Sequence, residues 1–502
     1  MSRLGAVKVK TRCITCTIRR VECDGTRPAC CRCTSTGWKC DGYIMPPAGG
    51  YSSYQRLHVP TQLAPDAELR AVAFYRRDVA PRLAGSIDSY FWTHLVPQIS
   101  YQEPAAKHAS LAISSLYEAF NEDSVRLGER NTFAISQYNK AILHLKTTRS
   151  EETVVFVCIL FLCIEILRGD WKTAIHHCRH GINILNGIKH KSNFIKDHLE
   201  PAFCRVSVFP FFFGSSPKEF PVIDLSCAVP TYPFHSILQA QTTLDWLMLR
   251  TIRFKRFWEG YGHGDTAVPE PDAAAMQEKD DIKTSLDTWL TEFRAFRKQR
   301  RARKYSLDAK RESVAERLYE VKGLVSQIWI ETSFVQEESV YDSHLDKFRS
   351  ILELAEQAKG ILQQTWKNYP RAKFTFEVGF SPPLTLTLIK CRSLNLRVAA
   401  MRLMKDMCHE KENMWNRSAV LALAGQLAKF EHGLQTGLDE DPMGVVDDGT
   451  LPPEERRVKT SRDERKSALV AGIDGAVTVR KTVAQMIGQQ KRPLICVEEE
   501  RQ

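Results

Sequence analysis

The chain has 502 residues, 43% of them hydrophobic and 26% charged, and a formal net charge of +11. This balance predicts a soluble globular protein, long enough for a small module and a separate large core. It excludes a membrane-spanning helix: the longest apolar run, Val154 to Ile164, stops at Glu165, short of the roughly 18 residues a span requires.

In chain order, residues 1–12 read as a basic arm, polar throughout and without the apolar core of a secretory signal. Residues 13–43 form a cysteine module. Residues 44–66 are rich in Pro, Gly and Ser and read as a linker. The linker holds no sustained heptad, so the pattern does not support a coiled-coil dimer.

Residues 67–435 are expected to be helical. Ile135, Tyr138, Ile142 and Leu145 are spaced 3-4-3 and predict one helical face within Ala134 to Leu145. Val154 to Leu167 is apolar nearly all round and predicts a buried helix, ended by Gly169 with Arg168 favourable at its negative terminus. Trp171 to Leu185 resumes the period and completes a helix pair. Further helices are expected at 278–298, 311–338, 345–367, 384–408 and 415–434, and one strand at Val206 to Phe213. Residues 436–502 read as a charged, partly disordered C-terminal segment, with 436–470 mobile.

Charge and cysteine are both unevenly distributed. Residues 1–45 hold nine basic groups against three acids, an excess of six in under a tenth of the chain. Such a concentration points to a polyanion partner. Of fifteen cysteines, seven lie in residues 13–40. The others (Cys158, Cys163, Cys178, Cys204, Cys227, Cys391, Cys408, Cys496) are scattered and read as small buried hydrophobes in a reducing compartment.

Six of the seven clustered cysteines repeat one spacing, Cys-x2-Cys-x6-Cys: Cys13, Cys16, Cys23, then Cys30, Cys33, Cys40. Thiolates at such intervals suit zinc, which prefers four ligands in a tetrahedron. Six cysteines fill two such sites if two sulfurs bridge. The fourth ligand at fixed spacing that a mononuclear finger wants is missing. Cys31 stands outside the pattern, either a substitute for Cys30 or a surface residue of a short helix; the second is favoured. If residues 14–20 are helical, Arg19 and Arg20 sit at the C-terminal end of that turn.

The stretch CITCTIRRVECDGTRPACCRCTSTGWKC resembles the fungal binuclear zinc cluster (Zn2Cys6) transcription factors in all six cysteine positions and in Pro28. The resemblance implies two Zn2+ ions per chain, with Cys13 and Cys30 as bridging ligands and the other four terminal. It implies that Arg20 reads a CGG triplet in the major groove, where arginine bonds guanine bidentately. Arg19 is a further DNA-binding candidate, and Lys8, Lys10, Arg12 and Arg32 are candidates for phosphate contacts. Residues 86–120, 138–186 and 382–404 resemble the same family's long regulatory domain. The fold class expected is therefore mainly α: a small zinc module, a flexible linker and a large all-helical regulatory domain. The implied protein is a nuclear regulator of RNA polymerase II genes, and membership of the family points to a metabolic or secondary-metabolite pathway. Its implied partners are double-stranded DNA, a second copy as homodimer and the transcription machinery, with no membrane.

Two positions depart from the family. A basic residue usually follows the second cysteine and another precedes the third; here these are Thr17 and Glu22. Each lost phosphate contact lowers the salt slope by about 0.9. An alternative follows: a regulator with a weakened DNA-binding module that acts mainly through protein partners.

Other patterns invite chemistry. His176, His177 and His180 lie close together, but helix packing is favoured over a metal site. Gly260 to Gly264 lacks the third glycine of a dinucleotide loop and reads as a turn. Arg297 to Lys304 (RKQRRARK) reads as an exposed helix end or loop in preference to a nuclear-import signal or second polyanion contact. No enzyme motif is found, so no catalytic residue is expected.

Overall fold

The computed structural model describes residues 15–16, 21–24, 26, 29–37 and 40, then 66–458 apart from 88–89, 122–126, 214, 227–230, 263–267, 302–306, 368–369 and 435–448. Beyond these it describes the backbone of 460–462, 468–471, 477–487 and 490–501. The chain divides into two units, Met1–Gln62 and Leu63–Gln502. The expected arm, 1–12, and most of the expected linker lie outside the described residues.

In the first unit a short helix, Cys31–Ser35, starts at Cys30, whose sulfur accepts the Cys33 amide. The second unit is built almost wholly of helices, so the mainly α fold is as the sequence predicts. Its centre is the helix Glu151–Arg168, where every residue from Val155 to Leu167 is buried. Ser150 accepts the Thr153 amide to start it, and Gly169, at φ +80°, ends it in the left-handed region that glycine tolerates. Trp171–Gly187 packs back on this helix, begun by the Asp170 carboxylate on the Thr173 amide. The approach is close: a Cβ on Gly181 would lie 2.4 Å from the Phe203 ring.

Several elements differ from the sequence reading. The helix over Ala134 to Leu145 exists, within Leu127–Thr147, and Tyr138, Ile142 and Leu145 of the expected face pack against the core, but Ile135 does not. Ala134, Gln137 and Ala141 are buried while Ile135 is 48% exposed. The buried Gln137 is held there because it meets His108 and Glu68 at 2.6 and 3.3 Å. The run Val206 to Phe213 is helical, in Glu200–Val206 and Phe209–Phe212, and not a strand. Pro210 lacks the N–H that a strand ladder needs and a helix start does not.

The expected helix 311–338 runs instead over Leu307–Glu331. At its end Thr332 and Ser333 hydroxyls bond back to the carbonyls of Ile328 and Trp329 at 2.8 Å each, competing with further helical turns. The expected helix 384–408 is two, Ser381–Lys390 and Leu394–Met407. The break lets Arg392, wholly buried, reach Glu338 and Glu431, and Arg397 captures the Cys391 carbonyl.

Part of the stretch read as mobile is fixed. Residues 449–458 are described, and Arg457 and Val458 are buried. Glu454 accepts the amides of Glu338 and Ser339 at 2.7 and 2.8 Å, and Arg457 pairs with Asp342. After it, strands Thr460–Arg462, Ala468–Ala471, Val477–Ile487 and Gln490–Arg501 pair antiparallel. Among the described residues no helix is long and apolar enough to cross a membrane.

Candidate metal centre and nucleic-acid interface

The first unit's core is made of cysteine. Cys16, Cys30 and Cys33 are fully buried and Cys23 nearly so, with Cys40 half-buried against them. The sulfurs of Cys16, Cys23 and Cys30 lie within 4.8 Å of one another, as do those of Cys30, Cys33 and Cys40. Cys30 belongs to both triads.

Cys16 Sγ lies 3.6 Å from both Cys30 and Cys33 Sγ. A disulfide would be about 2.05 Å. Sulfurs at two corners of a tetrahedron around zinc, with bonds of about 2.3 Å, are about 3.8 Å apart. The donor set thus fits two zinc ions sharing Cys30 and does not fit a disulfide knot. Cys13, the other bridging ligand implied by resemblance, lies outside the described residues.

Backbone amides serve the sulfurs as well. The Cys33 N–H donates to Cys30 Sγ at 3.3 Å and the Cys30 N–H to Cys40 Sγ at 3.4 Å. Donors aimed at sulfur favour the thiolate form, which is the form that binds metal. Cys31 is exposed, belongs to neither triad, and accepts a hydrogen bond from the Thr26 hydroxyl at 3.3 Å.

Sequence reasoning passed over Asp24. Its carboxylate accepts the amides of Arg32 at 2.8 Å, Thr26 at 3.0 Å and Cys31 at 3.1 Å. It therefore ties the end of the first half to the N-terminus of the second-half helix, where a negative charge is favoured. The Arg32 amide, then that of Thr26, holds the Asp24 carboxyl below its ordinary range. The two helix amides it serves, those of Cys31 and Arg32, lie seven and eight residues away, so no local capping pattern announces it.

The DNA-facing candidates Lys8, Lys10, Arg12, Arg19 and Arg20 lie outside the described residues, as does Thr17. Arg32 and Glu22 are both exposed.

The other sequence candidates fall in the second unit. His176 and His180 are exposed and stacked, whereas His177 turns inward to the Tyr138 hydroxyl at 3.1 Å. Burial pushes the His177 imidazole down to about 4. Among the described residues only the two cysteine triads offer metal-ligand geometry. Gly260 to Gly262 belong to a short helix, Glu259–Gly262; His263 and Gly264 lie outside the described residues. The basic run is not simply an exposed helix end: Arg297 is 7% exposed and paired with Glu316 and Glu320. Arg300 pairs with Glu312 at 2.6 Å.

The six described scattered cysteines are buried, as expected. Burial pushes the thiols of Cys158 and Cys178 up to about 12 and that of Cys391 to about 11. Cys227 and the Cys496 side chain lie outside the described residues.

Residues 11–47 match the fungal Zn(2)-Cys(6) binuclear cluster domain. The chain therefore carries at its N-terminus a domain of the Zn2Cys6 family, which binds two zinc ions through six cysteines, ahead of a large helical body. Three similar proteins are known as regulators. One is the aspercryptin biosynthesis cluster-specific transcription regulator atnN of Emericella nidulans, 26% identical over 398 residues, or 69% of this chain and 63% of that protein. Transcription regulator lscL of Purpureocillium lilacinum is 24% identical over 34% of this chain and 47% of its own. The Zn(2)-C6 fungal-type transcription factor afumD of Aspergillus fumigatus is 28% identical over 32% of this chain and 46% of its own. The matched parts span less than two thirds of each of these relatives. The first alignment reaches far beyond the cysteine module and so takes in the helical body. No solved structure matches.

Proposed function

We propose that the chain is a zinc-dependent, sequence-specific DNA-binding regulator of RNA polymerase II transcription, acting in the nucleus. Cys13, Cys16, Cys23, Cys30, Cys33 and Cys40 hold the two ions, with Cys13 and Cys30 bridging. Arg20, assisted by Arg19, reads CGG-type triplets in the major groove, while Lys8, Lys10, Arg12 and Arg32 contact phosphates. The helical body meets the transcription machinery and a second copy of the chain. The names of the similar proteins, one tied to a biosynthesis cluster, favour target genes of secondary metabolism.

The observation that carries this reading is the presence of Cys30 in both cysteine triads. A single sulfur near two donor sets is what a shared-ligand pair of ions needs. Without metal the module loses its fold, because forming the site and folding are one event. Elemental analysis tests it: two zinc ions per chain are expected, and one or none overturns it.

The second reading, a regulator that works through protein partners, draws support from Glu22, an exposed acid beside a buried cysteine. Mobility shift of the full chain on CGG-containing DNA separates the two. Binding that is lost when CGG is changed favours direct readout, and binding indifferent to that change favours partners.

A further inference from the structure

A cleft in the helical body has apolar walls that include Phe209, Trp329 and Trp415. Arg205, Asp245, Lys322, Glu377 and Asn413 also line it. Two cations and two carboxylates inside an apolar wall are unusual, because burying charge is costly unless it is paired.

Half of this set is already satisfied. Arg205 pairs with Glu377 at 3.3 Å, and the Trp92 indole N–H donates to the same carboxylate at 3.4 Å. The other half is not. Asp245 Oδ2 and Asn413 Oδ1 have no hydrogen-bond partner, and these residues are only 3% and 2% exposed. The nearest cation to Asp245 Oδ2 is Arg205 Nη1, at 4.0 Å. Lys322 is 7% exposed, and no hydrogen bond or ion pair holds its ammonium among the described residues. Burial pushes the Asp245 carboxyl up to about 6 and the Lys322 ammonium down, so each is displaced toward its neutral form.

The backbone fixes Asn413 in place. It sits at φ +53°, in the left-handed region, with its amide on the Thr375 carbonyl at 2.8 Å. Its side-chain N–H donates to the Phe376 carbonyl at 3.2 Å, which leaves Oδ1 as the unused acceptor.

We propose that this cleft binds a small, largely apolar molecule whose one polar end carries a carboxylate or carbonyl that accepts from Lys322, beside a hydroxyl whose one proton is donated to Asp245. Aromatic walls suit the apolar body, and the single polar corner orients it. The site lies wholly within the second unit and stands independently of any reading of the DNA contacts.

The test uses the full zinc-loaded chain and three probes: 3-phenyllactate, 3-phenylpropionate, which lacks the hydroxyl, and 4-methyl-2-hydroxypentanoate. Melting temperature and tryptophan fluorescence are followed as each is titrated to millimolar concentration. A saturable rise in melting temperature with 3-phenyllactate is expected. About tenfold weaker binding is expected both for 3-phenylpropionate and for 3-phenyllactate with Lys322→Met, since each change leaves a buried polar partner unmet. Should Lys322→Met not fold, Asp245→Leu removes the acceptor of the hydroxyl, and it should weaken 3-phenyllactate about tenfold while leaving 3-phenylpropionate unchanged. No response to any of the three probes, or equal responses in wild type and variant, overturns the proposal.

Discussion

Replacing Glu431 by alanine should destabilise the helical body more than almost any other single change. The side chain is 1% exposed. One oxygen accepts from Arg392 at 3.2 Å and from the Val458 amide at 2.8 Å, and the other meets Arg397. Arg392 and Arg397 are both wholly buried. Alanine leaves Arg392 with Glu338 at 2.9 Å, but leaves Arg397 no carboxylate among the described residues, only the Cys391 and Ile389 carbonyls. Removing one partner of a buried pair costs about 3–5 kcal/mol, because the other charge stays buried and uncompensated. Domains are stable by only about 5–15 kcal/mol, so this is a large share of the whole.

Glu431→Gln keeps an acceptor for Val458 and loses only the charge, so it should fall short of the alanine loss. The pH dependence has a definite sign. Burial pushes the Glu431 carboxyl up, but Arg397 and Arg392 overcome it and hold the group below its ordinary value. A lowered folded pKa gives stability that is complete above the unfolded value, near ~4.3, and is lost as pH falls through the folded one. Urea unfolding followed by tryptophan fluorescence, at neutral pH and then at falling pH, measures both effects. A Glu431→Gln midpoint equal to wild type at pH 7, or a difference that does not shrink in acid, would refute the argument. Limited proteolysis gives a second readout, since losing the Val458 contact should expose residues 449–458 to cleavage.

Asp24→Ala should release zinc to a chelator faster than wild type, because three amides lose their common acceptor; unchanged release kinetics would contradict the assigned tie. Gly181→Ala should cost about 1–3 kcal/mol through overpacking against Phe203, despite alanine's better helix propensity, and Phe203→Leu should relieve it. Thermal melts of the two single variants and the double variant decide this, and additive losses would exclude the clash. Arg20→Ala should weaken CGG-containing DNA more than unrelated DNA, whereas Lys10→Ala should weaken both alike and reduce the salt slope by about 0.9. Equal losses for both variants on both DNAs would reject those roles.

The cysteine pattern was legible because metal ligation fixes residue type and spacing at once, and no packing alternative explains six thiols so arranged. The buried helix Glu151–Arg168 was legible for a related reason: an unbroken apolar run between Ser150 and Gly169 leaves the backbone little choice. What the sequence hid depends on distant partners. Ile135 fits a helical face by spacing, yet the buried position goes to Gln137, because His108 and Glu68 from other helices meet it there. Asp24 serves amides seven and eight residues away. Lys322, Asp245 and Asn413 come from three separate segments, and nothing local marks them as neighbours.

Charge is used differently in the two units. In the helical body, basic residues that look available in sequence are engaged: Arg297 and Arg300 by Glu312, Glu316 and Glu320, and Arg392, Arg397 and Arg457 by Glu338, Glu431 and Asp342. A paired guanidinium presents little net field to a polyanion. In the cysteine module the reverse holds for one acid, because the Asp24 carboxylate is turned onto backbone amides and completes the scaffold. Attraction for nucleic acid should therefore reside in residues 1–45, where basic groups outnumber acids nine to three. Of the two described acids there, Asp24 is turned onto amides, which leaves Glu22, exposed, as the one placed to weaken it.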